Sequence, residues 1–201
     1  MEVGSRPDGR ADLTRAYIKQ HQDMDSIQVR DKHFKMFLSE EKIKHRVAEV
    51  AAQIAADWGD KKPLLLAVLN GSFVFAADLM RCIETPCEIA FVRMASYQGT
   101  KSTGRVKELI GLTEDIEDRY VLVVEDIIDS GLTMKELLAI LSEKHPAEVR
   151  IASLLVKPDN LKVDLDVNYC CFEIPNDFIL GYGLDYDGEG RNLKSIYTVV
   201  D

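Results

Sequence analysis

Short apolar runs alternate with amphipathic repeats through the middle of the chain, from Pro63 to Val156. Continuous apolar runs of this length are typical of strands that are buried on both faces, and apolar positions three or four residues apart are typical of helices. Because the two alternate, the pattern predicts right-handed βαβ crossovers and an α/β fold with a central, mostly parallel sheet flanked by helices. The predicted strands are 64–69, 88–94, 120–124 and 149–156, and the predicted helices are 73–83 and 133–144.

The pattern continues towards both ends of the chain. Ser39 precedes Glu40 and Glu41, as at a helix N-terminus, and the apolar repeat that follows ends at Gly59, so we predict a helix between them. Residues 1–24 show little apolar periodicity and are expected to form a weakly structured N-terminal extension. Shorter strands, separated by Pro and Gly turns, are predicted at 169–172, 178–182 and 195–200.

Composition narrows the class of protein. The 201 residues fit one domain, and 46% hydrophobic with 29% charged residues is typical of globular proteins. The formal charge of −9 disfavours nucleic acid and anionic membranes as partners, so a phosphate ligand must be held by local groups. The longest uncharged stretch, Pro63 to Ala77, is too short to span a bilayer, and Met1 to Asp12 lacks the apolar segment of a secretory signal.

The four cysteines, at positions 82, 87, 170 and 171, form no C-x-x-C pair. A bond between the neighbours Cys170 and Cys171 would close an unusually strained ring. We therefore expect reduced thiols and a cytoplasmic protein.

The segment most informative about function runs from Val121 to Thr133. A buried strand leads into Glu125 and Asp126, then Asp129, then Ser130-Gly131-Leu132-Thr133 at the start of a helix. In open α/β sheets, ligands bind at the carboxyl ends of strands, where this loop must lie. Gly131 allows close approach of the backbone, so N–H groups and hydroxyls from 129 to 133 can bind a phosphate without a lysine.

The carboxylates of Glu125 and Asp126 would repel a phosphate, which leaves ribose hydroxyls or a metal ion as their ligands. The alternative interpretation is an acidic turn followed by a capped helix. No P-loop, no G-x-S-x-G and no H-E-x-x-H motif occurs, and no G-x-G-x-x-G follows a strand. The four histidines lie on predicted helix faces or in the N-terminal region, which disfavours a mechanism driven by histidine.

The 121–133 segment closely resembles the 5-phosphoribosyl-1-pyrophosphate (PRPP) signature of type I phosphoribosyltransferases. Other segments resemble one branch of that family, the hypoxanthine-guanine phosphoribosyltransferases, and they follow its order and approximate spacing over about residues 25–201. These segments are Leu69–Phe73, Ser96-Tyr97 with Ser102–Gly104, Leu155–Lys157, Phe172–Pro175, and Gly181–Tyr186 with Arg191–Leu193.

The resemblance implies the type I phosphoribosyltransferase fold as one domain over 25–201. Its core would span about 60–160, and a small hood lobe would come from the N-terminal part and about 161–201. The implied reaction transfers phosphoribosyl from PRPP to N9 of a 6-oxopurine, hypoxanthine or guanine, and releases pyrophosphate with Mg²⁺. A homodimer or homotetramer is also implied.

Site residues carry over by position. Asp129 matches the general base that manages the purine N7 proton, and Lys157 matches the donor to the purine O6 atom. Phe178 matches the aromatic side chain that stacks on the base, while Ile179 would offer backbone groups to its edge. The remaining matches are to the phosphate and ribose of PRPP (Glu125, Asp126, Asp129, Ser130, Gly131, Leu132 and Thr133), to pyrophosphate (Asn70, Gly71 and Arg191), to the purine site and magnesium (Asp185), and to magnesium (Glu125 and Asp126). The alternative for Asp185 and Arg191 is a surface ion pair between the two, which their spacing of six does not exclude.

The stretch from Ile89 to Lys107 contains four basic residues and no acid. Its glycines and hydroxyls favour a lid in which Ser96 and Tyr97 close over pyrophosphate; the alternative is a solvated basic hairpin.

Three departures from the family pattern stand out. Asn70 and Leu132 occupy positions where some relatives have lysine, and Gly188 with Gly190 leave the placement of Arg191 open. The family's non-proline cis peptide would here be Leu69–Asn70.

Two other functions remain open at this point. One is a regulator that senses PRPP without turnover, against which the joint retention of Asp129, Lys157 and Asp185 argues. The other is an enzyme of the same fold for xanthine, adenine or a pyrimidine. Lys157 would be mismatched to the 6-amino group of adenine and so favours an oxo substituent.

Overall fold

The computed structural model describes residues 26–97 and 106–200, with the backbone alone described at 95–97 and 106–110. The predicted extension over 1–24 and the middle of the basic stretch, 98–105, lie outside the described residues. The described elements are the strands β1 (Ser26–Val29), β2 (Lys32–Leu38), β3 (Leu64–Val68), β4 (Glu88–Tyr97), β5 (Val106–Ile110), β6 (Tyr120–Ile128), β7 (Glu148–Val156), β8 (Tyr169–Glu173), β9 (Ile179–Leu180) and β10 (Ile196–Val200), and the helices α1 (Glu40–Trp58), α2 (Phe73–Cys82) and α3 (Leu132–Ser142).

The larger sheet of the described chain has six strands in the order β5-β4-β3-β6-β7-β8. All neighbours pair in parallel except β5, which pairs antiparallel to β4 at one edge. Strand β3 lies in the middle, between β4 and β6. The predicted central, mostly parallel sheet is therefore confirmed, and the carboxyl ends of β3, β6 and β7 share one edge.

Two apolar cores cover the faces of this sheet. Side chains alternate along a strand, so Leu65 and Ala67 of β3 enter one core while Leu64 and Leu66 enter the other. The first core contains the apolar faces of α1 and α2, and the second contains that of α3. The helices thus hold the sheet rigid beneath the loops at its carboxyl edge.

The second sheet in the described residues has the strand order β1-β2-β10-β9 and is antiparallel throughout. It joins residues 26–38 to residues 179–200, so both ends of the described chain meet in it. The β1–β2 hairpin had no counterpart among the predicted elements. Strand β8, although it follows residue 160, belongs to the larger sheet.

Most predicted elements agree with the structure within two residues at each end, and two strands run further. The strand predicted at 88–94 continues to Tyr97. The strand predicted at 120–124 continues to Ile128, because Glu125 pairs with Ser153 and Ile127 with Leu155 of β7. Glu125 and Asp126 therefore lie within β6 rather than after it. The strand predicted at 178–182 is reduced to Ile179–Leu180, since Gly181 and Gly183 turn the chain with φ of 103° and 102°. No described helix combines the length and apolarity that a membrane crossing requires.

Candidate active site

The turn from β6 to α3 forms the floor of a cavity at the carboxyl edge of the larger sheet. Its N-cap, Gly131, has φ of 76° and carries no side chain to cap the helix. The first-turn N–H groups lack partners within a helix and can bind an anion, although the Leu132 N–H donates to Ser130 Oγ at 3.5 Å in this structure. The cavity has a volume of about 150 Å³, and its lining includes Glu125, Asp129, Ser130, Gly131 and Thr133.

Glu125 and Asp126 place two carboxyl groups beside this turn, where Asp126 is buried and Glu125 is partly buried. Burial, then the charge of Asp126, raise the pKa of Glu125 well above its usual range. Burial also raises the pKa of Asp126, although the N–H of Ile127 and the charge of Arg191 act in the opposite direction. Within the described residues, Glu125 Oε2 is buried and has no hydrogen-bond partner. The unpartnered Oε2 atom of Glu125 can therefore accept a hydrogen bond from a ligand, and a bound cation would stabilise the charged form of either carboxyl group.

Asp129 and Lys157 stand together at the ends of the neighbouring strands β6 and β7. Lys157 Nζ lies 3.7 Å from Asp129 Oδ2, and the lysine side chain is 11% exposed while that of Asp129 is 51% exposed. Asn160, in the 3₁₀ turn Pro158–Asn160, donates its Nδ2 hydrogen to Asp129 Oδ1. A proton acceptor open to the cavity and a largely buried cation thus occupy one corner of the site.

Three segments that are far apart in sequence pack closely against one another at this edge. A Cβ atom on Gly71 would lie 1.5 Å from Asp126 Oδ2, and a Cβ atom on Gly183 would lie 2.1 Å from the Gly71 carbonyl oxygen. Only glycine fits at either position without displacing its neighbour. The Asn70-Gly71 loop is therefore pressed between the acidic pair of β6 and the turn that follows β9. The peptide bond Leu69–Asn70 is cis, as the resemblance implied.

Arg191 and Asp185 are directly paired across that last turn. Arg191 Nη2 lies 2.6 Å from Asp185 Oδ1, and Arg191 Nη1 donates to the Gly183 carbonyl at 2.7 Å. The Gly188 N–H donates to Asp185 Oδ2 at 2.6 Å. Both side chains are thus fixed within the turn, so the glycines at 188 and 190 do not leave Arg191 without a defined position.

The β1–β2 hairpin holds the same turn from outside. Arg30 Nη1 lies 3.2 Å from Asp187 Oδ2, and Arg30 Nε lies 3.2 Å from Glu189 Oε1. The Tyr186 hydroxyl donates to Asp31 Oδ1 at 2.8 Å. The N-terminal strands therefore support the residues that flank Asp185 and Arg191.

Phe178 presents an aromatic face beside this support. Its ring makes an edge contact with Tyr186, with centroids 5.5 Å apart, and a tilted contact with Phe34 at 6.2 Å. It remains 43% exposed, which is unusual for phenylalanine and leaves surface for a ligand. Ile179, in contrast, is buried in β9, where it pairs with Thr198.

The remaining predicted residues are less tightly connected to the site. Leu132 is 48% exposed at the start of α3. Ser96 and Tyr97 end β4, where they pair with Lys107 and Val106 of β5; their side chains lie outside what the structure describes. The backbone from 93 to 97 and from 106 to 110 forms an antiparallel ladder, which does not distinguish the lid from the basic hairpin.

The comparisons with known proteins agree with this geometry. A family model described as phosphoribosyl transferase domain matches residues 33–187. The hypoxanthine-guanine phosphoribosyltransferase of Streptococcus mutans is 45% identical over 163 residues, which cover 81% of this chain and 91% of the relative. That of Aquifex aeolicus is 40% identical over 176 residues, which cover 87% of this chain and 99% of the relative.

The chain belongs to the phosphoribosyltransferase family, in its hypoxanthine-guanine branch. It is therefore a transferase. The crystal structure of a hypoxanthine-guanine phosphoribosyltransferase from Bacillus anthracis matches it with a TM-score of 0.75 and 40% identity, covering 82% of this chain and 96% of that one. A mutant hypoxanthine phosphoribosyltransferase from Trypanosoma cruzi, solved as a ternary substrates complex, matches with a TM-score of 0.76 and 34% identity over 82% of this chain and 94% of that one.

Sequence reasoning missed the residues of this phosphoribosyltransferase that support others. Asn160, Arg30 and Asp31 belong to segments that carry no recognisable motif, and their partners lie up to 157 positions away. Gly183 offered a signal, because a G-x-G pair next to matched residues indicates a tight turn. The identity of its neighbour, the Gly71 carbonyl, could come only from the fold.

Proposed function

We propose that this enzyme transfers the phosphoribosyl group of PRPP to N9 of hypoxanthine, guanine or both, giving the nucleoside monophosphate and pyrophosphate in purine salvage. The observation that carries the proposal is the placement of Asp129 and Lys157 beside the phosphate-type turn of α3, with 3.7 Å between Nζ and Oδ2. A 6-oxopurine needs both a hydrogen-bond donor for O6 and an acceptor for the N7 proton. These two groups offer both within one corner of the site.

In this reaction the protein itself takes little part in making or breaking covalent bonds. Breaking the bond to pyrophosphate gives the ribose oxocarbenium character, so the site must stabilise charge, orient the base and exclude water. In our proposal Asp129 accepts the N7 proton as N9 attacks the anomeric carbon, because this proton becomes more acidic as the new bond forms. Lys157 donates to O6, the ring of Phe178 stacks on the base, and the backbone of Ile179 meets its edge.

The substrate PRPP would lie along the carboxyl edge of the sheet. The N–H groups of Ser130 to Thr133, with the Ser130 and Thr133 hydroxyls, would bind the 5′-phosphate, and Leu132 would contribute its backbone alone. Glu125 and Asp126 would accept from the ribose hydroxyls, which supplies the partner that buried Glu125 Oε2 lacks among the described residues. Asn70, Gly71 and Arg191 would bind pyrophosphate. Ser96 and Tyr97 would close over it as part of the lid.

Magnesium fits these residues as an ion that arrives with the substrate. Among the described residues, no group of three or more His, Cys, Asp or Glu side chains could hold a metal by itself. Mg²⁺ usually binds through one or two carboxylates together with substrate phosphates and water. Asp185, Glu125 and Asp126 would hold it. Because Asp185 is paired with Arg191 and the Gly188 N–H, the ion would compete with these two partners. The ion would neutralise the negative charge that develops on the departing pyrophosphate.

Assembly and location are also proposed. We propose a homodimer or homotetramer, which the family resemblance supports. Neither nucleic acid nor membrane is a proposed partner, in keeping with the net charge of −9. The four cysteines are unpaired, which supports a cytoplasmic location.

The test is an assay of the purified enzyme with Mg²⁺, PRPP and a single base in each reaction. Formation of inosine or guanosine monophosphate, with stoichiometric pyrophosphate, is the expected result. Turnover of xanthine, adenine or a pyrimidine in preference to both would contradict the assigned base. Binding of PRPP without turnover of any base would instead indicate a protein that senses PRPP and does not catalyse the transfer.

A further inference from the structure

The turn Gly181–Leu184 touches both of the proposed pyrophosphate-binding elements. Gly183 packs against the carbonyl of Gly71, where a Cβ atom would lie 2.1 Å from that oxygen. The carbonyl of Gly183 accepts from Arg191 Nη1 at 2.7 Å, and its N–H donates to the Arg191 carbonyl at 3.0 Å. The position of this turn therefore fixes the separation between the Asn70-Gly71 loop and the Arg191 side chain.

Tyr182 anchors the turn to helix α2. Its hydroxyl donates to Asp78 Oδ2 at 2.6 Å, and its side chain is almost wholly buried. Burial, then the hydrogen bond to Asp78, raise the pKa of Tyr182 well above its usual value, so the hydroxyl keeps its donor proton at neutral pH. Tyr182 also has φ of 51°, a left-handed conformation that is rarely adopted by residues with a side chain. The surrounding contacts must hold this conformation in place.

The hydrogen bond lies at the edge of a packed contact, because Tyr182 belongs to the same apolar core as Phe75 and Leu79 of α2. A cavity of about 730 Å³ opens between α2 and the 182–194 segment, and both Tyr182 and Asp78 line it, as do Arg191 and Phe73. Helix α2 begins two residues after Gly71, so a shift of the turn along α2 would move Gly183 relative to the Gly71 loop. Apolar packing holds the ring of Tyr182, and the hydrogen bond to Asp78 adds a directional contact at the rim of the cavity, which sets the position of the turn along α2.

We propose that Tyr182 is a positioning residue for pyrophosphate: through Asp78 it holds Gly183 against the Gly71 loop and so sets the spacing between that loop and Arg191. The proposal rests on the pyrophosphate roles of Gly71 and Arg191 proposed above. Tyr182 does not itself touch the reacting atoms. Its effect should therefore appear in the binding of PRPP and pyrophosphate and not in the binding of the purine.

The test compares Tyr182→Phe, Asp78→Ala and Asp78→Asn in the full enzyme. Tyr182→Phe and Asp78→Ala each remove the hydrogen bond and should raise both the KM for PRPP and the inhibition constant of pyrophosphate by about 3-fold to 10-fold. The KM for hypoxanthine should change less than about 2-fold. Asp78→Asn keeps an acceptor oxygen and should restore both values to within about 2-fold of wild type.

Arg81→Ala is the matched control, because Arg81 also pairs with Asp78, at 3.7 Å, and its side chain is 82% exposed. It should leave all the constants unchanged. A lower melting temperature of Tyr182→Phe with unaltered PRPP and pyrophosphate constants would overturn the proposal and leave Tyr182 as a purely structural residue, as would an Asp78→Asn variant as impaired as Asp78→Ala. Either outcome is distinct from failure of the proposed function, in which wild-type enzyme itself would not turn over PRPP.

Discussion

Gly71→Ala is the substitution that the close packing of the three loops around Gly71, Asp126 and Gly183 tolerates least. The new methyl carbon would lie 1.5 Å from Asp126 Oδ2 and 2.4 Å from its Cγ, far inside any van der Waals contact. Asp126 is 9% exposed and its Oδ1 accepts from the Ile127 N–H at 3.0 Å, so the carboxylate has little room in which to move. Either that hydrogen bond breaks or the Asn70-Gly71 loop shifts.

Overpacking of this kind costs about 1–3 kcal/mol of stability. For a chain of this length, that corresponds to a fall in melting temperature of roughly 2–12 °C. If Asp126 is turned away, the ribose of PRPP loses a hydrogen bond to a charged group, which lowers kcat/KM for PRPP by about 10-fold to 100-fold. Thermal denaturation and steady-state kinetics with hypoxanthine in excess measure the two effects.

Two further variants separate the clash with Asp126 from other effects of adding a methyl group. Gly59→Ala places a methyl group where no atom lies within 4 Å, at φ of 48°, so it should cost stability through backbone strain while leaving kinetics unchanged. Adding Asp126→Ala to Gly71→Ala removes the clashing carboxylate and should recover stability but not activity. A Gly71→Ala enzyme with the melting temperature and kcat/KM of wild type would refute the close contact.

Three other variants test the remaining roles. Asp129→Asn should lower kcat by about 10²-fold to 10⁴-fold with little change in PRPP affinity, measured by kinetics and calorimetry; unaltered turnover removes Asp129 as the base. Lys157→Gln should lower kcat/KM for hypoxanthine about 10-fold to 100-fold, and so reduce the ratio of kcat/KM for hypoxanthine to that for adenine. An unchanged ratio contradicts the contact with O6. Arg30→Ala should raise the KM for PRPP, because it removes the ion pairs with Asp187 and Glu189 that support the turn of Asp185 and Arg191. This difference from wild type should shrink in 1 M salt, and an identical KM at low salt argues against the support.

The sheet and its phosphate-type turn could be predicted because their signals are local. Buried parallel strands are continuous apolar runs, and the 121–133 segment carries its strand, its acids and its glycine turn within thirteen residues. The boundary of β6 was misplaced for a related reason. Glu125 and Asp126 read as the end of the strand because they are charged, yet backbone pairing with β7 continues past them to Ile128.

The contacts that position the site could not be predicted in the same way. Gly71 lies against Asp126, Gly183 against Gly71, and Arg30 against Asp187, and each contact depends on how separate elements are packed. The Tyr182–Asp78 hydrogen bond spans 104 positions. Composition and periodicity contain no information on such pairs, because these residues are ordinary turn and surface types in their local context.

The central claim of this account is that the backbone of the turn from Ser130 to Thr133 binds the 5′-phosphate of the substrate while Glu125 and Asp126 face the ribose. A crystal structure of the enzyme soaked with guanosine monophosphate tests it most directly. We expect phosphate oxygens within hydrogen-bonding distance of the N–H groups of that turn, and the ribose hydroxyls on the two carboxylates. A nucleotide bound with its phosphate elsewhere, and this turn left empty, would contradict the account.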